Sequence, residues 1–118
     1  MHTHLDQIKS YITKDGSHIR ELIHPDTHTN NNQSLAQATV PADIQTELHF
    51  HKKSEEIYHV TQGEGLMFLG EQQFLVKVGD TICIPANTAH QISNVGKHDL
   101  VFLCACSPAY THDDTVII

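Results

Sequence analysis

The stretch "ELHFHKKSEEIYHVTQGEG", residues 47–65, combines a strand-like pattern with an unusual density of imidazole and carboxylate groups. In an extended strand, side chains two residues apart point to the same face and lie about 6.6 Å apart along the chain. His49 and His51 therefore share a face, and both rings can reach one ion. The polar turn that follows returns the chain antiparallel, which brings Glu56, or alternatively Glu55, towards the same point.

A fourth candidate ligand lies in "GDTICIPANTAHQISN", residues 79–94, where His90 follows a Pro-Ala-Asn turn and opens a new strand. Three neutral imidazoles and one carboxylate suit one divalent transition metal ion per subunit, such as Fe, Mn, Ni, Zn or Cu. With six-coordination, two positions stay open for water or substrate. The sequence therefore predicts a metal site.

The composition limits the classes of partner. The chain has 118 residues, 14 acidic and 7 basic, with 11 histidines and no Trp. A net charge of −7 argues against nucleic acid and anionic membranes as partners, because both require clustered Lys and Arg. Three cysteines without paired spacing favour a reducing compartment. We expect one cytoplasmic domain with no membrane span.

Short strand patterns recur from residue 35 onwards and are separated by turn residues. Residues 5–12 could form a short helix, 18–25 a strand or a helical turn, and 26–34 a loop. Many short strands without long helices are typical of an all-β sandwich or barrel. The predicted strands are 35–40, 46–51, 56–61, 66–69, 73–76, 81–84, 90–94 and 100–106.

Two motifs carry a resemblance to a known family. His49-x-His51-x4-Glu56-x6-Gly63 matches the first cupin motif, and Gly79-x5-Pro85-x-Asn87-x2-His90-x3-Asn94 matches the second. The spacing to Gly63 selects Glu56 over Glu55. Two positions depart from the family pattern, since Asp43 and Asn87 stand where glycine is expected; both residue types tolerate left-handed backbone comparatively well.

The resemblance to small single-domain bacterial cupins implies a cupin-type double-stranded β-helix, also called a jelly-roll barrel. We expect an N-terminal extension over 1–17, the barrel over 18–107 and a C-terminal tail over 108–118. The tail is expected to be solvated, and the alternative is that it covers a barrel mouth. The implied metal ligands are His49, His51, Glu56 and His90.

Strand alternation places Glu47, His49 and His51 on one face and Thr46, Leu48 and Phe50 on the other. If the histidines line the barrel, the apolar Leu48 and Phe50 face outward and need a cover. The N-terminal segment, a second subunit and the C-terminal "TVII" are the candidates. We expect a homodimer, which the resemblance also favours.

Further candidate residues surround the predicted site. Tyr58 follows Glu56 by two residues and points to the same side, either as core filler or as a pocket hydroxyl. Arg20, the sole arginine, becomes a carboxylate or phosphate anchor if it points into the barrel. Glu56 and Tyr58 are the candidate general bases. The roles of Cys83, Cys104 and Cys106 stay open.

The motifs favour a metal-dependent enzyme that acts on a small oxygen-chelating molecule. The resemblance to cupins implies a dioxygenase, isomerase, decarboxylase or lyase. Scattered basic residues weaken the phosphorylated-sugar branch. The alternative is a non-catalytic cupin that binds or senses a small molecule. A DNA-binding regulator is disfavoured, because no helix-turn-helix pattern and little basic charge are present.

Overall fold

A computed structural model describes all residues of the chain, from Met1 to Ile118. It contains one 3₁₀ turn and eleven strands. The 3₁₀ turn covers Leu5–Gln7, and the strands are β1 (Tyr11–Ile12), β2 (His18–Ile23), β3 (Ser34–Val40), β4 (His49–His51), β5 (Glu55–Gln62), β6 (Glu64–Leu69), β7 (Gln72–Lys77), β8 (Thr81–Ile84), β9 (His90–Asn94), β10 (Leu100–Ser107) and β11 (Thr115–Ile117).

The strands form two antiparallel sheets, which together make the predicted jelly roll. One sheet has the order β1-β2-β3-β10-β5-β8, and the other has the order β11-β4-β9-β6-β7. Strict in–out alternation marks β3, β8, β9 and β10, so one face of each strand is buried between the sheets. The core residues with the largest fully buried side chains are Phe102, Met67, Ile84, Ile92 and Leu100.

The two non-glycine positions in the family motifs adopt left-handed backbone. Asp43 has a φ of 66° and Asn87 a φ of 63°, as the tolerance of these residue types predicts. The motif glycine Gly63 has a φ of 84°, and an added Cβ would lie 2.8 Å from the carbonyl oxygen of Asp99. No side chain fits there without a backbone shift.

Replacing Asn87 tests this backbone requirement. Asn87→Ala should lower the free energy of unfolding by about 1–2 kcal/mol, because alanine keeps the Cβ that lies close to the following carbonyl oxygen but lacks the short polar side chain that lets asparagine tolerate left-handed backbone. Asn87→Gly has no Cβ and should stay within about 0.5 kcal/mol of the parent protein. Urea denaturation of both variants measures the difference. Equal stability of the two variants would contradict the expected strain.

Both chain ends differ from the sequence prediction. The helix expected over 5–12 is a single 3₁₀ turn with no buried residue, and the chain then extends into β1. The segment 108–118, expected to be a solvated tail, contains β11, which pairs with β4 and places Val116 opposite Phe50. The C-terminal segment is therefore the cover that Phe50 needed. The apolar "TVI" stretch is too short to give a clear strand signal by itself.

The alternation predicted for residues 46–51 holds only from His49 onwards. His49 and His51 are buried, as expected, but Thr46 is buried and Glu47 is exposed, contrary to expectation. The reason is that the regular strand begins at His49, and residues before it follow an irregular path. The chain has no helix with the length and apolar character needed to cross a membrane.

Candidate metal centre

Strands β4 and β9 bring three histidines together. His49 and His90 are directly paired across these strands, and His51 lies two residues beyond His49 on the same face. All three are at most 4% exposed. One ring nitrogen from each lies within 4.8 Å of the others, a cluster that can hold a metal ion.

Glu56 enters the same cluster from β5 of the opposite sheet. Its Oε1 lies 3.2 Å from Nε2 of His51 and 3.4 Å from Nε2 of His90. The other oxygen, Oε2, accepts a hydrogen bond from the Cys106 thiol at 3.3 Å. Glu55 is exposed on the other face of β5, so the structure brings Glu56 into the cluster and leaves its competitor outside.

The second ring nitrogen of each histidine fixes the tautomer. Nδ1 of His49 lies 2.7 Å from the carbonyl oxygen of Glu47, and Nδ1 of His90 lies 2.9 Å from that of Thr88. A carbonyl oxygen only accepts, so both Nδ1 atoms carry the proton. Both Nε2 atoms therefore present a lone pair to the centre of the cluster, as a metal ligand must.

His51 is oriented by the C-terminal strand. Its Nδ1 lies 3.0 Å from Oγ1 of Thr115, and that hydroxyl donates its own hydrogen to the carbonyl oxygen of Thr111. The hydroxyl oxygen is thus an acceptor for the Nδ1 proton of His51, and Nε2 again keeps its lone pair.

In this arrangement the acceptor atoms of the imidazoles and of Glu56 face one another, which is unfavourable unless a cation lies among them. Nε2 of His51, Nε2 of His90 and Oε1 of Glu56 are buried and have no hydrogen-bond partner. Such unpaired buried groups are unfavourable in a folded protein. A cation among these atoms would satisfy all of them, so the donor set fits a metal ion.

The charges of the cluster shift its ionisation in the absence of a metal. Burial favours a lower pKa for His51, but the hydrogen bond and charge of Glu56 outweigh this effect and raise the pKa. Burial would raise the pKa of Glu56, but His51 and His90 hold it well below its usual range. Burial and the neighbouring His90 lower the pKa of His49. The raised pKa of His51 and the lowered pKa of Glu56 have one cause in common, the attraction between the imidazole and the carboxylate.

Thr115 offers a test of this support. Thr115→Val removes the acceptor for Nδ1 of His51 and should weaken divalent metal affinity by about 10-fold or more, as is typical for a lost outer hydrogen bond to a ligand. Thr115→Ser keeps the hydroxyl and should restore most of the affinity. Competition with a chromophoric chelator measures both. Equal affinities for the two variants would mean that the hydroxyl does not orient His51.

The cluster opens into a cavity between the two sheets. About 40 Å³ of it is accessible to the centre of a water molecule, roughly the room for three waters. Its wall carries the acidic residues Asp15, Glu21 and Glu56, and neither Lys nor Arg lines it. The cavity is therefore small and has no cationic anchor of its own.

Of the other two candidate site residues, Tyr58 lines the cavity and Arg20 lies on the outer surface. Tyr58 is 3% exposed, lines the cavity and stacks on Phe102 with ring centroids 4.4 Å apart. Burial and the Glu56 carboxylate raise its pKa well above the usual value, so its hydroxyl is a proton donor rather than a base. Arg20 lies outside, in a surface groove with His18 and Asp99. Arg20 was expected to anchor a carboxylate or phosphate only if it pointed into the barrel, and it does not.

The cysteines divide in the same way. Cys104 and Cys106 are buried and line the cavity, whereas Cys83 is exposed, and all three are free thiols. Burial and the charge of Glu56 raise the pKa of the Cys106 thiol, so it acts as a hydrogen-bond donor to Glu56 rather than as a nucleophile.

Three cavity residues come from segments that the sequence analysis left without a role. Asp15 places Oδ2 3.5 Å from Nε2 of His49, and its Oδ1 accepts hydrogen bonds from Thr13 and Ser17. Glu21 lies on β2, and Thr115 on β11. The sequence gives only a weak signal for one of them, because the pair Asp15-Gly16 is typical of a turn.

The comparisons with known proteins agree with this architecture. The sequence model of a family described as "Cupin domain" matches residues 37–106. An uncharacterized protein of Methanocaldococcus jannaschii is 53% identical over 116 residues, which cover 98% of this chain and 93% of that protein. Auxin-binding protein 1 of Arabidopsis thaliana is 35% identical over 72 residues, which cover 53% of this chain and 36% of that protein.

A solved structure shares the fold. The Lactobacillus farciminis oxalate decarboxylase, in its formate complex, has a TM-score of 0.82 and 23% sequence identity over 98% of this chain. This chain spans only 35% of the decarboxylase chain. At this level of identity the similarity concerns the fold.

Proposed function

The chain belongs to the cupin family, and from this premise we propose that it is a metal-dependent enzyme acting on a small oxygen-chelating molecule. The observation that carries the proposal is the set of buried, unpartnered acceptor atoms of His51, His90 and Glu56, which lie close together next to a cavity that His51 and Glu56 line. Structural relatives named as oxalate decarboxylases support an enzyme of this kind.

His49, His51, His90 and Glu56 would hold one divalent transition metal ion per subunit, and Fe, Mn, Ni, Zn and Cu all suit this donor set. When bound, the ion would supply Lewis-acid polarisation of a substrate oxygen, or electron exchange with O₂ if it is Fe. The protein's own contribution is to fix the imidazole tautomers through Glu47, Thr88 and Thr115.

The substrate we infer is a small neutral hydroxy-carbonyl or diketone. The cavity holds few atoms, and its fixed charges are the carboxylates of Asp15, Glu21 and Glu56 without any Lys or Arg. A phosphorylated sugar or a dicarboxylate would bring two or more negative charges into an acidic wall. The protonated hydroxyl of Tyr58, which has no hydrogen-bond partner in the protein, is available to donate to a substrate oxygen.

Elemental analysis by inductively coupled plasma mass spectrometry tests the metal site. Tag-free protein, purified without chelator or added metal, should carry close to one transition metal ion per subunit. Glu56→Gln should lower the retained metal, whereas the matched control Glu55→Gln, on the exposed face of β5, should not. Protein that retains no metal even after reconstitution would overturn the proposal.

A non-catalytic ligand-binding protein is the second candidate, and the partial match to auxin-binding protein 1 favours it. The two functions differ in turnover. A panel of small hydroxy-ketones and diketones should yield products with the parent protein and none with His90→Ala. Ligand binding without product across the panel would favour the binding function.

We also propose that the chain forms a homodimer in the cytoplasm, where its free cysteines stay reduced. An apolar row crosses the outer face of the larger sheet, because Leu35, Ala105, Ile57 and Cys83 are successive cross-strand neighbours. Leu35 and Ile57 are exposed. Light scattering should give twice the chain mass for the parent protein, and Ile57→Asp should yield monomer. A monomeric parent protein at micromolar concentration would exclude the dimer.

A further inference from the structure

Glu21 occupies the cavity wall on a strand that contributes nothing to the metal cluster. Alternation along the start of β2 turns Ser17, Ile19 and Glu21 into the cavity and Arg20 to the outside. Glu21 thus shares one small cavity with the histidines and Glu56, without any direct contact to them. A ligand that is held at the cluster and extends along this cavity approaches Glu21.

The carboxylate of Glu21 is held at one oxygen and free at the other. The Tyr11 hydroxyl donates a hydrogen bond to Oε2 at 2.8 Å. Oε1 is buried and has no partner in the protein. A buried acceptor without a donor is unfavourable unless a ligand supplies the donor.

We propose that Glu21 is the catalytic base, which takes a proton from a hydroxy-carbonyl ligand held at the three-histidine site. This inference rests on the proposed function. In the proton transfer, the C–H bond of the hydroxyl-bearing carbon breaks and its proton moves to Glu21. The electron pair of that bond forms a C=C bond, and the carbonyl electron pair moves to the carbonyl oxygen. Return of a proton from Glu21 reverses the step.

The ionisation of Glu21 agrees with this role. Burial raises the pKa of Glu21, and the hydrogen bond from Tyr11 offsets this effect only in part. A carboxylate with a raised pKa is a stronger base than an exposed one. The titratable groups that face Glu21 from the elements packed around it are Tyr11, His24, Asp26, His28, Cys104, Cys106 and Tyr110.

Exchange of hydroxyacetone protons in D₂O tests the base. Metal-loaded protein should exchange the CH₂ protons of hydroxyacetone, followed as signal loss in proton NMR. Glu21→Gln should lower the exchange rate by about 100-fold or more, the usual contribution of a general base. The exposed control Glu71→Gln should exchange at the parent rate. Metal content and hydroxyacetone affinity, measured from the visible spectrum of the Co²⁺-loaded protein, should change less than about threefold in Glu21→Gln.

Two results would overturn the inference and are distinguishable from failure of the proposed function. Exchange by Glu21→Gln at more than a third of the parent rate would exclude Glu21 as the base. Absence of exchange in the parent protein, with hydroxyacetone still perturbing the Co²⁺ spectrum, would also exclude it but leave the proposed metal site and ligand class intact. No spectral response to hydroxyacetone would contradict the ligand class and, with it, the role of Glu21.

The pH dependence of the exchange rate in Tyr11→Phe is a further test, because a purely structural role of Glu21 would leave it unchanged. The Tyr11 hydrogen bond stabilises the ionised form of Glu21, so its removal should shift the acid limb of the exchange rate profile to higher pH. At high pH the exchange rate should return towards that of the parent protein. An unchanged acid limb would mean that a group other than Glu21 sets the profile.

Discussion

Replacing His51 with alanine is expected to lower the affinity for a divalent transition metal by more than about 100-fold, beyond the effect of losing an outer hydrogen bond to a ligand. His51 is 4% exposed, and its Nε2 faces Oε1 of Glu56 at 3.2 Å. Its removal deletes one donor and leaves the Glu56 carboxylate with His90 as its sole close imidazole partner. Competition with a chromophoric chelator measures the loss.

His59→Ala is the matched control for this prediction. His59 lies on β5 close to Glu56 in sequence but is exposed and pairs with the Thr81 hydroxyl at 2.8 Å. Its loss should leave metal affinity unchanged within about threefold. If His51→Ala binds metal as tightly as His59→Ala, the imidazole cluster is not the binding site.

Replacing Phe102 with alanine is expected to cost about 3–5 kcal/mol in the free energy of unfolding. Phe102 is 1% exposed and lies between Ala38 and Val60 in the larger sheet. Its ring packs against the ring of Tyr58. The substitution removes buried apolar surface and opens a void at the floor of the cavity. Urea denaturation of the metal-free protein measures the cost without a contribution from metal binding.

Leu75→Ala provides the comparison, because Leu75 is an apolar strand residue that is 72% exposed. Its change in stability should stay within about 0.5 kcal/mol. A cost below about 1 kcal/mol for Phe102→Ala would show that the two sheets repack over the void, contrary to the rigid interior expected here.

The sequence predicted the barrel and the close approach of the three histidines because both depend on local patterns. Alternation and turn residues locate β8 and β9 at their observed bounds. The i, i+2 spacing of His49 and His51 survives in the structure, since a strand allows no other arrangement. The left-handed backbone at Asp43 and Asn87 follows from their place in the motifs, where the family pattern has glycine, together with the tolerance of both residue types.

The rest of the site depends on long-range packing and lay beyond such patterns. Asp15 reaches His49 through a turn, and Thr115 reaches His51 through a three-residue strand. Glu21 becomes a candidate site residue only because its strand borders the cavity. In each case a single polar residue in an unremarkable segment becomes part of the site through the register of distant strands, which local propensity does not encode.

The support of His51 by Thr115 bears on the order of events during protein synthesis. The two residues are 64 positions apart, and Lys14 also binds the Thr115 carbonyl oxygen from 101 positions away. The ribosome therefore releases His49, His51 and Glu56 well before the strand that orients one of them. The nascent chain can collapse into a barrel earlier, but the His51 ring reaches its final orientation only after β11 docks. The proposed metal site is accordingly complete only once β11 has docked on β4.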